Sequence, residues 1–138
     1  MPLGSPLYLD TSAALRATLE RGTTPEIEAR ITSAPVLVTS RLSLVESARA
    51  FHRLRQQGGI AEGRLADARR ELDTLWNRCE LWELSAAVCD LAMHVAPDRV
   101  LRTLDALHLA TFLVARRRID GLEILTADAR LEEAASSA

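Results

Sequence analysis

Short apolar segments alternate with longer segments of helical periodicity along this chain, and this alternation constrains its fold more than any other feature. The apolar segments are brief and bounded by Pro, Ser or Gly, which is typical of buried strands. They predict strands at residues 7–10, 36–39, 79–84 and 123–126. The periodic segments predict helices at residues 12–20, 25–33, 42–57, 61–78, 85–96 and 103–118, followed by a last turn or two after Ala127.

The repeated order of strand and helix predicts the class of the fold. Neighbouring parallel strands need a crossover connection, usually a helix, so the pattern predicts an α/β protein with one parallel sheet and helices on both of its faces. With 138 residues, of which 48% are hydrophobic, the chain can bury about two thirds of its unfolded surface in one core. We therefore expect a single domain over residues 1–138, in which residues 1–5 are the remnant of an expression tag or a disordered start.

Composition limits the classes of function. No apolar run reaches the length of a membrane span and the first residues lack the regions of a signal peptide, so we expect a cytoplasmic protein without membrane contact. Every one of the 17 basic residues is arginine, which excludes enzymes that require a lysine ammonium group. The two cysteines, Cys79 and Cys89, are too few for a disulfide framework and are expected to be buried small apolar residues.

Four carboxylates lie where apolar sequence makes an acid costly: Asp10, Glu46, Asp105 and Asp128. Asp10 and Asp128 follow predicted strands, and open α/β sheets bind ligands at the carboxyl ends of their strands. If the helices that carry Glu46 and Asp105 begin near the same edge, all four acids point into one crevice. Their mutual repulsion then calls for one or two Mg²⁺ or Mn²⁺ ions. Setting these four aside leaves 15 of the 19 acids against 17 arginines, a balance compatible with a nucleic-acid partner.

Two of the four acids have a second interpretation. Asp10 and Asp128 each precede a predicted helix, where an aspartate commonly caps the first turn, so capping and metal binding both remain open for them. Glu46 and Asp105 lie inside predicted helices and lack that alternative. An aspartate in an apolar helix is a weak helix former and is costly to bury unpaired, which favours a functional role for Asp105.

Four short motifs contain these acids. They are Leu-Asp-Thr-Ser-Ala-Ala-Leu at 9–15, Ser-Leu-Val-Glu at 43–46, Leu-Asp-Ala-Leu-His-Leu-Ala at 104–110 and Leu-Thr-Ala-Asp-Ala-Arg-Leu at 125–131. Each motif alone is weak. Together, in this order and over almost the whole chain, they closely resemble the PIN-domain ribonucleases, and within them the VapC-like toxins of prokaryotic toxin–antitoxin systems.

The resemblance implies a fold and a set of site residues. The fold is a PIN-like three-layer α/β/α arrangement with a central parallel sheet of about four strands. The catalytic residues, which would also bind Mg²⁺ or Mn²⁺, are Asp10, Glu46, Asp105 and Asp128. The hydroxyl groups that would orient ligands or the scissile phosphate are those of Ser12 and Thr126.

The resemblance also implies an activity. It predicts a metal-dependent endoribonuclease that cleaves RNA phosphodiester bonds with a metal-activated water, and a toxin that forms a homodimer and is bound by its cognate antitoxin. A catalytically silent PIN-fold module that binds RNA or protein is the alternative, although it would be expected to have lost some of the acids. A phosphoaspartate-type phosphatase is disfavoured by the missing lysine and by Ser12, where its motif needs a second aspartate.

Other side chains carry weaker expectations. His108 is predicted to be a packed histidine, with a hydrogen bond to Asp105 or a contact with RNA as alternatives. Trp76 is expected to anchor a partner rather than to fill the core, whereas both roles stay open for Trp82. The apolar residues grouped with Trp76 in this role are Phe51, Leu72, Leu75 and Met93. The arginines around Gly58-Gly59 are expected to form a solvated face rather than to grip phosphates: Arg49, Arg53, Arg55, Arg64, Arg69 and Arg70.

Overall fold

The computed structural model describes residues 4–138, and every predicted strand and helix is present. The strands are β1 (Leu7–Leu9), β2 (Leu37–Ser40), β3 (Cys79–Trp82) and β4 (Glu123–Leu125). The helices are α1 (Thr11–Ala17), α2 (Pro25–Ser33), α3 (Arg41–Gln57), α4 (Glu62–Arg78), α5 (Ala86–Ala92), α6 (Thr103–Arg116) and α7 (Ala129–Ser136). Residues 1–5 were expected to be a tag remnant or a disordered start, and residues 1–3 lie outside the described range. Gly4 lies within it, and its amide donates a hydrogen bond to the Ser33 carbonyl at 3.1 Å.

The strands form one parallel sheet in the order β3-β2-β1-β4. This confirms the predicted α/β class and the parallel sheet. From β1 the chain continues to β2 on one side, and it returns to β4 on the other side only near its end. The order of strands therefore changes direction beside β1, so the crevice at the carboxyl ends of β1 and β4 is where a ligand site is expected.

Side chains of β1 alternate between the two faces of the sheet and so divide the core in two. Leu7 and Leu9 pack on one face with buried residues of α1, α2 and α4. Tyr8 packs on the opposite face with buried residues of α6 and α7. The result is the expected three-layer α/β/α arrangement, with the central strand buried on both sides. None of the helices in residues 4–138 combines the length and the apolar character that a membrane crossing needs.

The expectation that Trp76 anchors a partner is wrong. The apolar residues of α4 recur every three or four positions, so they form one stripe that faces the core and includes Trp76. The Trp76 indole nitrogen donates a hydrogen bond to Ser47 Oγ at 3.2 Å, which satisfies its polar atom inside the protein. The residues grouped with it that are also buried are Phe51, Leu72 and Leu75. Met93 differs, because it is 70% exposed.

The expectation for the cysteines is half correct. Cys79 is partly buried at the start of β3, and burial raises the pKa of its thiol to about 12. Cys89 is exposed, so its predicted burial is wrong. The reason is that α5 is short and buries only Val88.

The arginine-rich turn between α3 and α4 is a solvated face, as predicted. Gly58 and Gly59 both have positive φ angles, of 72° and 93°, which glycine adopts without a steric penalty. Across this turn the Arg55 guanidinium pairs with Glu62 at 2.8 Å, and both side chains are more than half exposed. Exposed pairs of this kind contribute little to the stability of a fold.

Candidate active site

A pocket of about 230 Å³ opens at the carboxyl end of the sheet, where the strand order changes direction. Its lining brings together all four predicted acids, namely Asp10, Glu46, Asp105 and Asp128. A larger cleft of about 750 Å³ lies beside it, between α1, α3 and α4, but Glu20 is the only acid that lines that cleft. The smaller pocket is therefore the candidate site, because it contains the four predicted acids and the larger cleft does not.

Asp10 is held firmly at the base of this pocket. It directly follows β1, is 5% exposed, and caps α1 by accepting a hydrogen bond from the Ala13 amide at 3.0 Å. Ser12 Oγ donates to both carboxylate oxygens at 2.8 and 2.9 Å, and Thr126 Oγ1 donates to Oδ2 at 2.6 Å. Burial raises the pKa of Asp10, and the hydrogen bonds from Thr126, Ala13 and Ser12 lower it by less. The capping interpretation is correct, and it coexists with the place of Asp10 in the pocket.

Ser12 and Thr126, the predicted orienting hydroxyls, also join the two segments that flank the sheet edge. The Ala127 amide donates to Ser12 Oγ at 2.9 Å, and the Asp128 amide donates to Thr126 Oγ1 at 3.0 Å. The bond from Ala127 to Ser12, together with the one from Thr126 to Asp10, connects the start of α1 to the turn after β4. The two hydroxyls therefore fix the direction of the Asp10 carboxylate and the path of the chain that carries Asp128.

Asp105 and Asp128 share one arginine at the mouth of the pocket. Asp105 lies in the first turn of α6, and Asp128 caps α7 by accepting from the Arg130 amide at 2.9 Å. The Arg102 guanidinium lies 3.5 Å from Asp105 Oδ2 and 4.0 Å from Asp128 Oδ2. Because its side chain is 81% exposed, these contacts hold Arg102 only weakly. Arg102 was not predicted to belong to the site, although its position three residues before Asp105 at the start of a helix was a usable signal.

Glu46 is held from two sides through a single oxygen. Thr11 Oγ1 donates to Glu46 Oε1 at 2.7 Å, and His108 Nε2 lies 2.5 Å from the same oxygen. Burial acts to raise the pKa of Glu46, but the hydrogen bond and electrostatic attraction to His108, the hydrogen bond from Thr11 and the attraction to Arg102 together outweigh it and hold that pKa below its usual value. Glu46 is therefore ionised in neutral solution.

His108 is a packed histidine, as predicted, and is 2% exposed. Its hydrogen-bond partner is Glu46 rather than Asp105, so the alternative of a bond to Asp105 is wrong. The other ring nitrogen, Nδ1, lies 2.8 Å from the hydroxyl oxygen of Tyr8. Tyr8 and Thr11 lie within two positions of Asp10, but no role in the site was predicted for either, since nothing in the local pattern distinguishes them from ordinary strand and helix residues.

The donor set of the pocket fits a hard divalent cation. Four carboxylates supply oxygen ligands only, which is the preference of Mg²⁺ and Mn²⁺, and the arginines of the lining, Arg53 and Arg102, leave an excess of negative charge. Within residues 4–138, no three side chains of His, Cys, Asp or Glu converge closely enough to share one ion. The reason is that each acid is turned toward a protein partner: a hydroxyl, a histidine, an amide or Arg102.

The comparison with protein families agrees with this geometry. The PIN domain family matches residues 7–136, which is almost the entire chain. The chain belongs to the PIN-domain family. The match includes every strand of the sheet, the helices of its two covering layers and all four acids of the pocket.

Relatives of this PIN domain include a curated ribonuclease and solved structures. The protein is 30% identical to Ribonuclease VapC45 of Mycobacterium tuberculosis over 138 residues, covering 100% of this chain and 92% of the relative. The structure of VapC20 of M. tuberculosis, a sarcin-ricin loop cleaving toxin, has a TM-score of 0.59 at 21% identity and covers 93% of this chain and 94% of that one. VapBC2 of Rickettsia felis, solved with a promoter DNA fragment, has a TM-score of 0.61 at 13% identity, and the match covers 89% of this chain and 99% of that one.

Asp10→Asn is expected to raise the melting temperature of the metal-free PIN domain by roughly 3–5 °C, for a gain of about 1 kcal/mol. Asparagine keeps the oxygen that caps α1 but removes a buried charge. Folding raises the pKa of Asp10, so the protonated carboxyl is the form that suits the folded protein. The stabilisation it gives is fully present when the pH is below 3.8, the usual pKa of an aspartate, and is lost as the pH rises through the pKa of Asp10 in the folded state. The gain from Asp10→Asn should therefore appear at neutral pH and shrink in acid.

Thermal unfolding of both proteins at neutral and acidic pH measures this difference. Asp10→Ala is the matched control, since it removes the cap as well as the charge and should lose about 1 kcal/mol relative to Asp10→Asn. A lower melting temperature for Asp10→Asn at neutral pH would show that the negative charge stabilises the start of α1 more than its burial costs.

Proposed function

We propose that this PIN-domain protein is an endoribonuclease of the VapC type, which hydrolyses RNA phosphodiester bonds and acts as the toxin of a toxin–antitoxin pair. The observation that carries the proposal is that four acids from four separate segments line one pocket at the carboxyl end of a parallel sheet. A ribonuclease that is 30% identical over the full length of this chain supports the same activity.

The acids would hold Mg²⁺ or Mn²⁺, with Asp10 and Asp105 as the central ligands and Glu46 and Asp128 on the second side or acting through water. A bound divalent ion supplies positive charge for the phosphoryl oxygens and makes water acidic enough to attack near neutral pH. Asp10 is oriented for this role by the hydroxyl groups of Ser12 and Thr126. Glu46, which is ionised and fixed through Oε1, keeps a carboxylate at the wall of the pocket.

Arg102 and Arg53 are the arginines of the pocket lining and suit the phosphates of the substrate. For Arg53 this departs from the expectation that the arginines around Gly58-Gly59 form only a solvated face. Arg102 stands at the mouth, largely exposed, and its long contacts to Asp105 and Asp128 are weak. It can therefore turn from the carboxylates to an incoming phosphate at small cost, whereas a buried ion pair could not. This gives the RNA backbone a positive contact beside the acids.

An antitoxin is the proposed partner of this protein. The Rickettsia felis relative of the same fold was solved as a VapBC pair, which supports a similar pairing here. The pocket also favours an inhibitor that carries arginine, because its carboxylates can accept paired hydrogen bonds from a guanidinium group. We further propose a homodimer, for which exposed apolar side chains such as Met93 and Val100 offer a surface.

Brief induced expression followed by mapping of the 5′ ends of cellular RNAs tests the proposal. Wild-type protein is expected to stop growth and to create new 5′ ends at defined positions, while Glu46→Gln, which keeps the side-chain shape, should do neither. Co-expression of the adjacent upstream reading frame should restore growth. Unchanged growth and RNA with soluble wild-type protein would instead favour a catalytically silent PIN-fold module.

A further inference from the structure

A buried chain of hydrogen bonds runs from the middle of the sheet to the active-site pocket. It starts at the hydroxyl of Tyr8 on β1, passes through both ring nitrogens of His108 on α6, and ends at Glu46 Oε1 on α3. Tyr8 is fully buried and His108 is 2% exposed, so water does not compete for these bonds. Three elements that are far apart in sequence are thereby connected behind the acids of the pocket.

The hydrogens of this chain can be assigned by counting donors. His108 Nδ1 lies 2.8 Å from the Tyr8 hydroxyl oxygen, and the hydroxyl groups of Thr111 and Ser40 also lie within hydrogen-bonding range of it. The hydroxyl of Thr111, which lies nearby, gives its own hydrogen to the Leu107 carbonyl at 2.7 Å. The ionised carboxylate of Glu46 can only accept, so His108 Nε2 carries the hydrogen of that bond, and in a neutral ring Nδ1 is then left to accept from the Tyr8 hydroxyl. Burial also raises the pKa of Tyr8 well above its usual value, so the phenol keeps its proton.

The other end of the chain fixes one oxygen of Glu46 and leaves the second unused. Both donors, Thr11 Oγ1 and His108 Nε2, contact Oε1. Oε2 has no hydrogen-bond partner among the described residues, although Glu46 lines the pocket. Two donors from different helices restrict rotation of the carboxylate, and this leaves Oε2 as the oxygen that can accept a cation or a water.

We propose that Tyr8 holds His108 in the tautomer that carries hydrogen on Nε2, and that His108 in this form positions Glu46 so that Oε2 serves the active site. Tyr8 and His108 are thus positioning residues that act through Glu46. Carboxylates and histidines of metal sites are commonly oriented by such outer hydrogen bonds, and losing one costs about 10–100-fold in metal affinity. The functional half of the inference rests on the proposed nuclease activity, whereas the tautomer does not.

Nitrogen NMR of histidine-labelled protein tests the tautomer without any variant or metal. At neutral pH the two ring nitrogens of His108 are expected to show a protonated Nε2 and an unprotonated Nδ1, with no averaging between forms. In Tyr8→Phe, which removes only the hydroxyl group, the spectrum should shift toward a mixture of tautomers. A protonated Nδ1 in the wild type, alone or together with Nε2, overturns the inference.

Mn²⁺ affinity, measured by calorimetry, tests the positioning of Glu46. His108→Leu is expected to bind Mn²⁺ about 10-fold more weakly or worse, and His108→Gln should recover most of the loss, because its side-chain amide nitrogen can donate from the position of Nε2. Phe112→Leu is the packing control: its ring lies 6.1 Å from that of Tyr8 and makes no hydrogen bond in this chain. It should destabilise the core while leaving Mn²⁺ affinity within about 2-fold of the wild type.

The outcomes separate the two proposals. Equal weakening by His108→Gln, His108→Leu and Phe112→Leu would show that His108 matters only for packing, and the positioning role would fail. If the wild type binds no Mn²⁺, the metal-dependent function fails together with the cation half of this inference, while the NMR spectrum still decides the tautomer. If His108→Leu does not fold, Tyr8→Phe tests the positioning role in its place. Its spectrum should show mixed tautomers of His108, and its affinity for Mn²⁺ should be several-fold weaker than that of the wild type.

Discussion

RNA cleavage by Asp105→Asn or Asp10→Asn protein is expected to fall by at least about 100-fold in kcat/KM, with smaller losses for Glu46→Gln and Asp128→Asn. An amide keeps the shape of the carboxylate but removes the charge that would hold a cation and neutralise the substrate. Asp10 and Asp105 should be the most severe because they are assigned as the central ligands.

The rate of cleavage of a labelled RNA by purified protein measures this effect. Asp90→Asn is a suitable control, since Asp90 is an exposed acid on α5 and does not line the pocket. Its activity should equal that of the wild type. Full activity of Asp105→Asn would remove this pocket as the site of catalysis, even though the fold would remain that of a PIN domain.

Removal of divalent metal is expected to reduce cleavage to the background rate, and added Mg²⁺ or Mn²⁺ should restore it. The acids of the pocket repel one another, and a bound ion that they share offsets this repulsion and supplies the charge that hydrolysis needs. The same ion should stabilise the folded protein. At 100 times its dissociation constant, the gain is about 2.7 kcal/mol.

Cleavage and thermal unfolding with chelator, and then with increasing Mg²⁺, measure both effects in one preparation. Asp10→Asn should begin at a higher melting temperature than the wild type and rise less with Mg²⁺. A variant that loses activity while it gains stability would show that the buried charge of Asp10 is retained for function. Full cleavage in the presence of chelator would refute the metal-dependent mechanism.

The fold and the positions of Asp10 and Asp128 could be predicted from local patterns in the sequence, whereas the convergence of Glu46 and Asp105 on the same pocket followed from the resemblance to PIN domains. The period of apolar residues indicates the elements, and the parallel order places the ends of β1 and β4 at one edge. Asp10 and Asp128 directly follow those strands, so their positions needed no knowledge of packing. The caps that they form on α1 and α7 were also visible as an aspartate before a helix.

The contacts behind the acids could not be predicted in the same way. Glu46 and His108 are 62 positions apart, and Tyr8 and His108 are 100 apart, so their bonds depend on how α3 and α6 pack against β1. Local spacing suggested Asp105 as the partner of His108 because both lie on one helix stripe. The structure shows that His108 lies a turn deeper than Asp105, at the level of the buried sheet, where Glu46 and Tyr8 are its neighbours.

The distribution of the site over the chain bears on when a newly made molecule can become harmful to the cell that synthesises it. Asp10 leaves the ribosome well before β4, which pairs with β1 and supplies to Asp10 the hydroxyl of Thr126, 116 positions later in the chain. Asp128 follows only after β4. Incomplete translation products that stop before this segment contain three of the acids and lack the fourth, so they lack the assembled pocket. For a ribonuclease surrounded by the RNA of its own translation, this order of synthesis delays activity until β4 and Asp128 have been made.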